Sequence, residues 1–130
     1  MVSRIGTSPL PETAEEIRLC LLTLLHTLLQ SKCNSIIVAE NIDDLTKILC
    51  ASISDNYPDA KKMATICLVD ICNIAPTHLH SKVESLSSAL MNSMRHQHSK
   101  VRNDCLIALG KLIPCGAEGI YIYIYNMTNY

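Results

Sequence analysis

Asp55-Asn56-Tyr57-Pro58-Asp59-Ala60-Lys61 and His96-Gln97-His98-Ser99-Lys100-Val101-Arg102 stand 41 residues apart and share one design. Each is a polar turn followed by the start of a helix. In each, a small or branched apolar residue comes directly before a basic one. Ile17-Arg18 repeats that pair 43 residues before Ala60-Lys61. A period of about 40 to 47 residues with two helices per unit is the mark of HEAT and armadillo repeats. A helix pair cannot bury both of its apolar faces alone, and stacking neighbours completes the core. The reading is an all-α, HEAT/armadillo-like α-solenoid fragment of about two and a half helix-pair repeats.

The helices around these turns follow from apolar spacing. Residues 12–31 read as the first, with Thr13 and Glu16 at capping-box spacing. Its stripe is Ile17, Cys20, Leu21, Leu24, Leu25 and Leu28, widened by Leu19, Leu22 and Leu29. A helix that is apolar on more than one face packs between neighbours. Residues 32–40 read as an irregular connector. Asn41–Ser54 is the second helix, with Ile42, Leu45, Ile48, Leu49 and Ile53 inward. The third runs from Pro58, suited to the first helical position, to Ile74, where Pro76 stops it. The fourth covers Leu79–Met94 and the fifth Ser99–Ile113. The spacing predicts no strand before residue 119.

Three segments follow: an N-terminal flexible stretch over 1–11, the repeat array over 12–116, and a tail over 117–130. The tail's Ile120-Tyr121-Ile122-Tyr123-Ile124-Tyr125 abandons the helical period. It reads as read-through or an alternative end, since an alternating AT tract translates to this pattern; the other reading is an amphipathic edge strand. Uncharged alternation of this kind favours aggregation.

Composition narrows the function classes. The 130 residues carry a net charge of −1, with 48% hydrophobic and 4% aromatic residues. Such a balance fits a packed core and argues against a dedicated nucleic-acid or anionic-membrane binder. Residues 1–60 hold four basic and eight acidic side chains, residues 61–130 seven and four. The four glycines form no phosphate loop or dinucleotide fingerprint. No apolar run reaches the ~18 residues of a membrane span, and the N-terminus does not read as a secretory signal. The seven cysteines include no C-x-x-C and read as reduced, buried thiols of a cytosolic protein.

Pro11-Glu12-Thr13-Ala14-Glu15-Glu16-Ile17-Arg18-Leu19, Asp43-Asp44-Leu45-Thr46-Lys47-Ile48-Leu49 and His96-Gln97-His98-Ser99-Lys100-Val101-Arg102 resemble the dynein axonemal assembly factor 5 family, also called HEAT repeat-containing protein 2. Glu84-Ser85-Leu86 with Leu90-Met91 is similar as well. The resemblance covers about residues 3–116. It implies a cytoplasmic scaffold for pre-assembly of axonemal dynein arms in motile ciliated cells. By resemblance its partners are axonemal dynein intermediate or heavy chains and co-chaperones. The family protein is a much longer solenoid.

Residue by residue, Asp55, Lys61, His96 and Arg102 are candidates for a ladder between repeats. His96 stands where the ladder wants Asp, which weakens this junction. Lys62 and Lys100 are candidate partner-facing basic residues. His78, His80, His96 and His98 form two H-x-H pairs, but neither has a local Cys or carboxylate to complete a metal site. No catalytic residue, metal or cofactor is expected, and the chain reads as a non-enzyme. A generic HEAT adaptor for transport or phosphatase scaffolding is the alternative, and a small metal- or thiol-dependent enzyme a distant third. Uncapped array ends predict self-association.

Overall fold

The computed structural model describes residue 5, residues 12–31 and residues 33–116. The expected N-terminal flexible stretch, apart from Ile5, and the Ile-Tyr tail lie outside the described residues. Ile5 itself is helical and buried.

The helices are α1 (Glu15–Ser31), α2 (Ser35–Glu40), α3 (Ile42–Ile53), α4 (Pro58–Ile74), α5 (Val83–Ser93) and α6 (Ser99–Leu112). Single 3₁₀ segments cover Pro76–Lys82 and Ile113–Cys115. No strand occurs among the described residues.

Helices α1, α4 and α6 pack side by side as one layer. Helices α3 and α5 pack on each other and form the second, α3 against α4 and α5 against α6. This is the two-layer stacking of a helical repeat solenoid. Helix α4 sits at its centre. Ala60, Ala64 and Cys67 are fully buried on it, small enough for neighbouring helices to approach closely. Leu68 and Ile71 are buried on the same helix, and Leu49, Ile53, Leu86, Leu90 and Leu112 bring the other elements into one core. Fully burying each such side chain contributes about 1.5–3 kcal/mol.

The bounds of α4 match the sequence reading because Pro58 and Pro76 mark them locally. Three details differ. The capping box at Thr13 does not form. Instead, the Ala14 carbonyl accepts from the Ile17 and Arg18 amides, and the Ala14 amide donates to Glu12 Oε1 at 3.1 Å. The connector contains a short helix, α2, because Asn34 Oδ1 accepts from the Ile37 amide at 3.0 Å and caps it. The fourth helix begins four residues late. Residues 76–82 wind as tighter 3₁₀ turns that bury Leu79 while Thr77, His78, His80 and Ser81 face solvent.

The face of α1 also differs. Its buried stripe is Arg18, Leu22, Leu25 and Leu29. Ile17, Leu24 and Leu28, expected inward, are 48%, 50% and 43% exposed. Two Leu-rich registers compete on this helix. The one that wins brings Arg18 to Asp55 and sets the Leu22 carbonyl against the Cys67 thiol at 3.5 Å.

Candidate interaction face

The turn between α3 and α4 is built around Asp55. Its Oδ1 accepts from the Tyr57 amide at 2.9 Å, an Asx turn that sets the entry to α4. Arg18 reaches this carboxylate from α1, Nε donating to Oδ2 at 2.7 Å and Nη2 to Oδ1 at 2.9 Å. Its Nη1 donates to the Glu12 carbonyl at 3.1 Å. Both partners are buried. The hydrogen bond to Asp55 raises the Arg18 pKa above its already high value, with burial opposing.

Lys61 occupies the same helical register on α4, one repeat later. Its Nζ donates to the Ile53 carbonyl at 2.8 Å and to Ser93 Oγ at 3.1 Å. Ser93 Oγ donates to the same carbonyl at 2.7 Å. Lys61 thus joins the end of α3 to the end of α5, with no carboxylate in hydrogen-bond reach. Burial lowers its pKa, while Cys105 and Asp55 act the other way.

His96 holds the position that Asp55 holds one repeat earlier. Its Nδ1 accepts from the His98 amide at 3.2 Å, and the two imidazoles lie 5.1 Å apart. Arg102 donates to the His96 and Gln97 carbonyls at 2.8 and 2.9 Å, within its own turn. So Asp55 and Lys61 make contacts between helix pairs, whereas the contacts of His96 and Arg102 are local. Arg18 was absent from the sequence candidates although it shares their register. Its place before Asp55 in the repeat was the available signal.

Lys62 and Lys100 come together. With Asp59, His98, Val101 and Asp104 they line an open groove of about 290 Å³ between the starts of α4 and α6. A second groove of about 370 Å³ crosses the same layer, with His26, Gln30, Thr65, Val69, Asp70 and Ile107 along it. Asp70 is buried there. His26 Nδ1 meets its Oδ2 at 2.5 Å, and Gln30 Nε2 donates to its Oδ1 at 2.6 Å. Asp104 lies between the two grooves, and its Oδ2 is buried without a hydrogen-bond partner. Sequence reasoning missed this second groove. A lone Asp in the apolar run Ile66-Cys67-Leu68-Val69-Asp70-Ile71-Cys72 was the signal for it.

Among the described residues no group of three or more His, Cys, Asp or Glu side chains is arranged to hold a metal. Burial pushes the Cys67 and Cys72 thiols up to about 12 and raises Cys50 and Cys105 as well. These thiols stay protonated at neutral pH, the opposite of an activated nucleophile. No helix among the described residues is long and apolar enough to cross a membrane.

The layer of α1, α4 and α6 therefore offers two adjoining grooves, one bordered by two lysines and two aspartates and one carrying a buried carboxylate. A family model described as dynein axonemal assembly factor 5-like, TPR repeats, matches residues 1–121. The description names TPR repeats, whereas offsets of 41 and 43 residues lie in the HEAT range; both are stacks of antiparallel helix pairs. The chain is 35% identical over 113 residues to dynein axonemal assembly factor 5 of Xenopus laevis, covering 87% of this chain and 13% of that protein. It is 34% identical over 109 residues to the Mus musculus protein of that name, covering 84% and 12%. Against the Homo sapiens protein it is 34% identical over 106 residues, covering 82% and 12%. The chain thus spans about one eighth of the length of the curated relatives it matches.

Proposed function

The chain belongs to the dynein axonemal assembly factor 5-like family, and on that premise we propose that it is a non-enzymatic scaffold for pre-assembly of axonemal dynein arms in the cytoplasm of motile ciliated cells. The observation that carries this reading is the similarity to three relatives named as dynein axonemal assembly factors across more than four fifths of the chain. The helical array supports it, since stacked repeats present long faces to other proteins.

In this reading the partners are dynein intermediate or heavy chains, with co-chaperones. They dock on the layer of α1, α4 and α6, where Lys62 and Lys100 border one groove. Arg18, Asp55 and Lys61 hold successive helix pairs in register, so that the grooves keep their shape.

Affinity capture from multiciliating cells tests the proposal. The baits are the 130-residue chain and its Lys62→Glu/Lys100→Glu variant, each checked for helicity by circular dichroism. Enrichment of axonemal dynein chains with the first and a several-fold loss with the second supports the scaffold and docking at the Lys62–Lys100 groove. Equal enrichment with both keeps the scaffold and removes the groove. A folded bait that captures transport or phosphatase subunits and no dynein chain favours the generic adaptor and overturns the proposal.

A further inference from the structure

Two carboxylates from different helices line one groove on the layer of α1, α4 and α6. Asp70 comes from α4 and Asp104 from α6, and both border the groove of about 370 Å³. Ile66, Val69 and the half-exposed Ile107 supply its apolar wall. Asp70 is buried and is held in place from α1, by His26 Nδ1 at 2.5 Å from Oδ2 and by Gln30 Nε2, which donates to Oδ1 at 2.6 Å. Each of its oxygens keeps a second acceptor site, since a carboxylate offers about four in all. Asp104 has no such clamp. Its Oδ2 is buried without a hydrogen-bond partner, so neither Lys62 nor Lys100 of the neighbouring groove bonds it. Buried polar atoms nearly always have a partner, and an unmade bond costs free energy. No lysine or arginine lines this groove. A protonated His26 offsets one carboxylate only, so the groove keeps a negative charge in either state of the imidazole.

We propose that this groove receives an arginine side chain of a partner polypeptide, with the guanidinium between Asp70 and Asp104 and the stem along Ile66, Val69 and Ile107. The planar guanidinium carries five N–H donors in a fixed fork, so one head can serve two carboxylates at once. It is also more weakly hydrated than an ammonium, which suits a groove with apolar walls better than lysine does. The methylene stem covers apolar surface while the head meets the acids. Arginines seated in this way are among the residues that carry most of the energy of protein interfaces. The inference deepens the docking layer proposed above, and it rests on that reading for the identity of the partner alone.

The test uses short acetylated peptides that carry a diazirine-bearing leucine next to a central arginine, lysine or norleucine and contain no dynein sequence. The dilute full chain is irradiated with each, and the labelled residues are mapped by mass spectrometry. The arginine peptide should label the groove wall at Ile66, Val69 and Ile107, several-fold more than the lysine peptide and far more than the norleucine peptide. Asp104→Asn, checked for helicity by circular dichroism, should lose this labelling several-fold, because it removes the charge while Oδ2 has no hydrogen bond to lose. Ile107→Arg should lose it as well, since a guanidinium three residues after Asp104 on α6 fills the groove from its own wall. Equal labelling by the norleucine or lysine peptide overturns the proposal. So does arginine labelling confined to other surfaces, or undiminished labelling of Asp104→Asn. Groove labelling without dynein capture keeps the arginine site and removes the dynein reading; dynein capture without groove labelling does the reverse.

Discussion

Arg18 holds Asp55 through two nitrogens, at 2.7 and 2.9 Å, across 37 residues of sequence. The contact ties α1 to the turn that opens α4, and both side chains are buried. The planar guanidinium matches a carboxylate in a way that an ammonium cannot. Removing one member leaves the other charged and unpaired, at a cost of about 3–5 kcal/mol. Arg18→Ala and Asp55→Ala should each lower the unfolding free energy from urea titration by that order, and the double variant by less than their sum. A double-mutant cycle with coupling near zero would show that the pair does not hold the helices together.

His96 should make the second junction weaker than the first. It replaces a carboxylate in the repeat pattern and shares its surroundings with cations. Burial, with His98, Lys61 and Arg102, holds its imidazole below the ordinary 6.5. A histidine with a depressed folded-state pKa contributes stability above 6.5 that is lost as pH falls through the folded value. His96→Asp should raise the melting temperature at pH 7 by placing a carboxylate near Lys61. It should also reduce the loss of stability between pH 6.5 and 5. Thermal melts of both chains across that range check this; a lower melting temperature for the variant at pH 7 would refute it.

The local signals in the sequence were legible and the facing of helices was only partly so. Pro58 and Pro76 bound α4 by chemistry confined to a few residues, and the shared register of Lys61 and Arg102 revealed the repeat. Helix α1 was harder. Leu21, Leu24 and Leu28 offer as good a stripe as Leu22, Leu25 and Leu29, and only the fit of Arg18 to Asp55 and of Leu22 to Cys67 selects between them. The His26–Asp70 contact spans 44 residues and depends on how α1 lies on α4, which spacing within either helix does not encode. The short helix α2 depends on one cap, Asn34, at the edge of an otherwise irregular connector.

The buried thiols predict loss of stability at alkaline pH. Cys67 and Cys72 move from an ordinary 9.0 to about 12, and Cys50 and Cys105 are also raised. A raised folded-state pKa gives stability that is full below 9 and falls as pH climbs towards the folded value. Each fully shifted thiol contributes a slope of about 1.4 kcal/mol per pH unit in that window. Lys61, whose pKa is lowered, has the opposite sign and offsets part of it. Urea unfolding at pH 8, 9.5 and 10.5 should therefore show a steep decline, and Cys67→Ala should flatten it. Stability that stays level over this range would mean that the thiols are hydrated in the folded state.

The outer face of α1 predicts self-association. Ile17, Leu24 and Leu28 stand about half exposed on it, and Ile36 and Ile37 add exposed apolar surface on α2. At the far end, Leu106 and Ile107 are more than half exposed on α6. Burying each of these side chains is worth up to about 1.5–3 kcal/mol, so two such faces in contact gain energy comparable with the stability of a small domain. The chain alone should sediment as a dimer or larger species at tens of micromolar concentration, and its melting temperature should rise with concentration. Leu24→Glu/Leu28→Glu should shift the species towards the monomer without loss of helicity, because neither side chain belongs to the buried stripe of Leu22, Leu25 and Leu29. A wild-type chain that sediments as a monomer and melts sharply above about 60 °C, the upper part of the mesophile range, at every concentration would show that these faces need no cover.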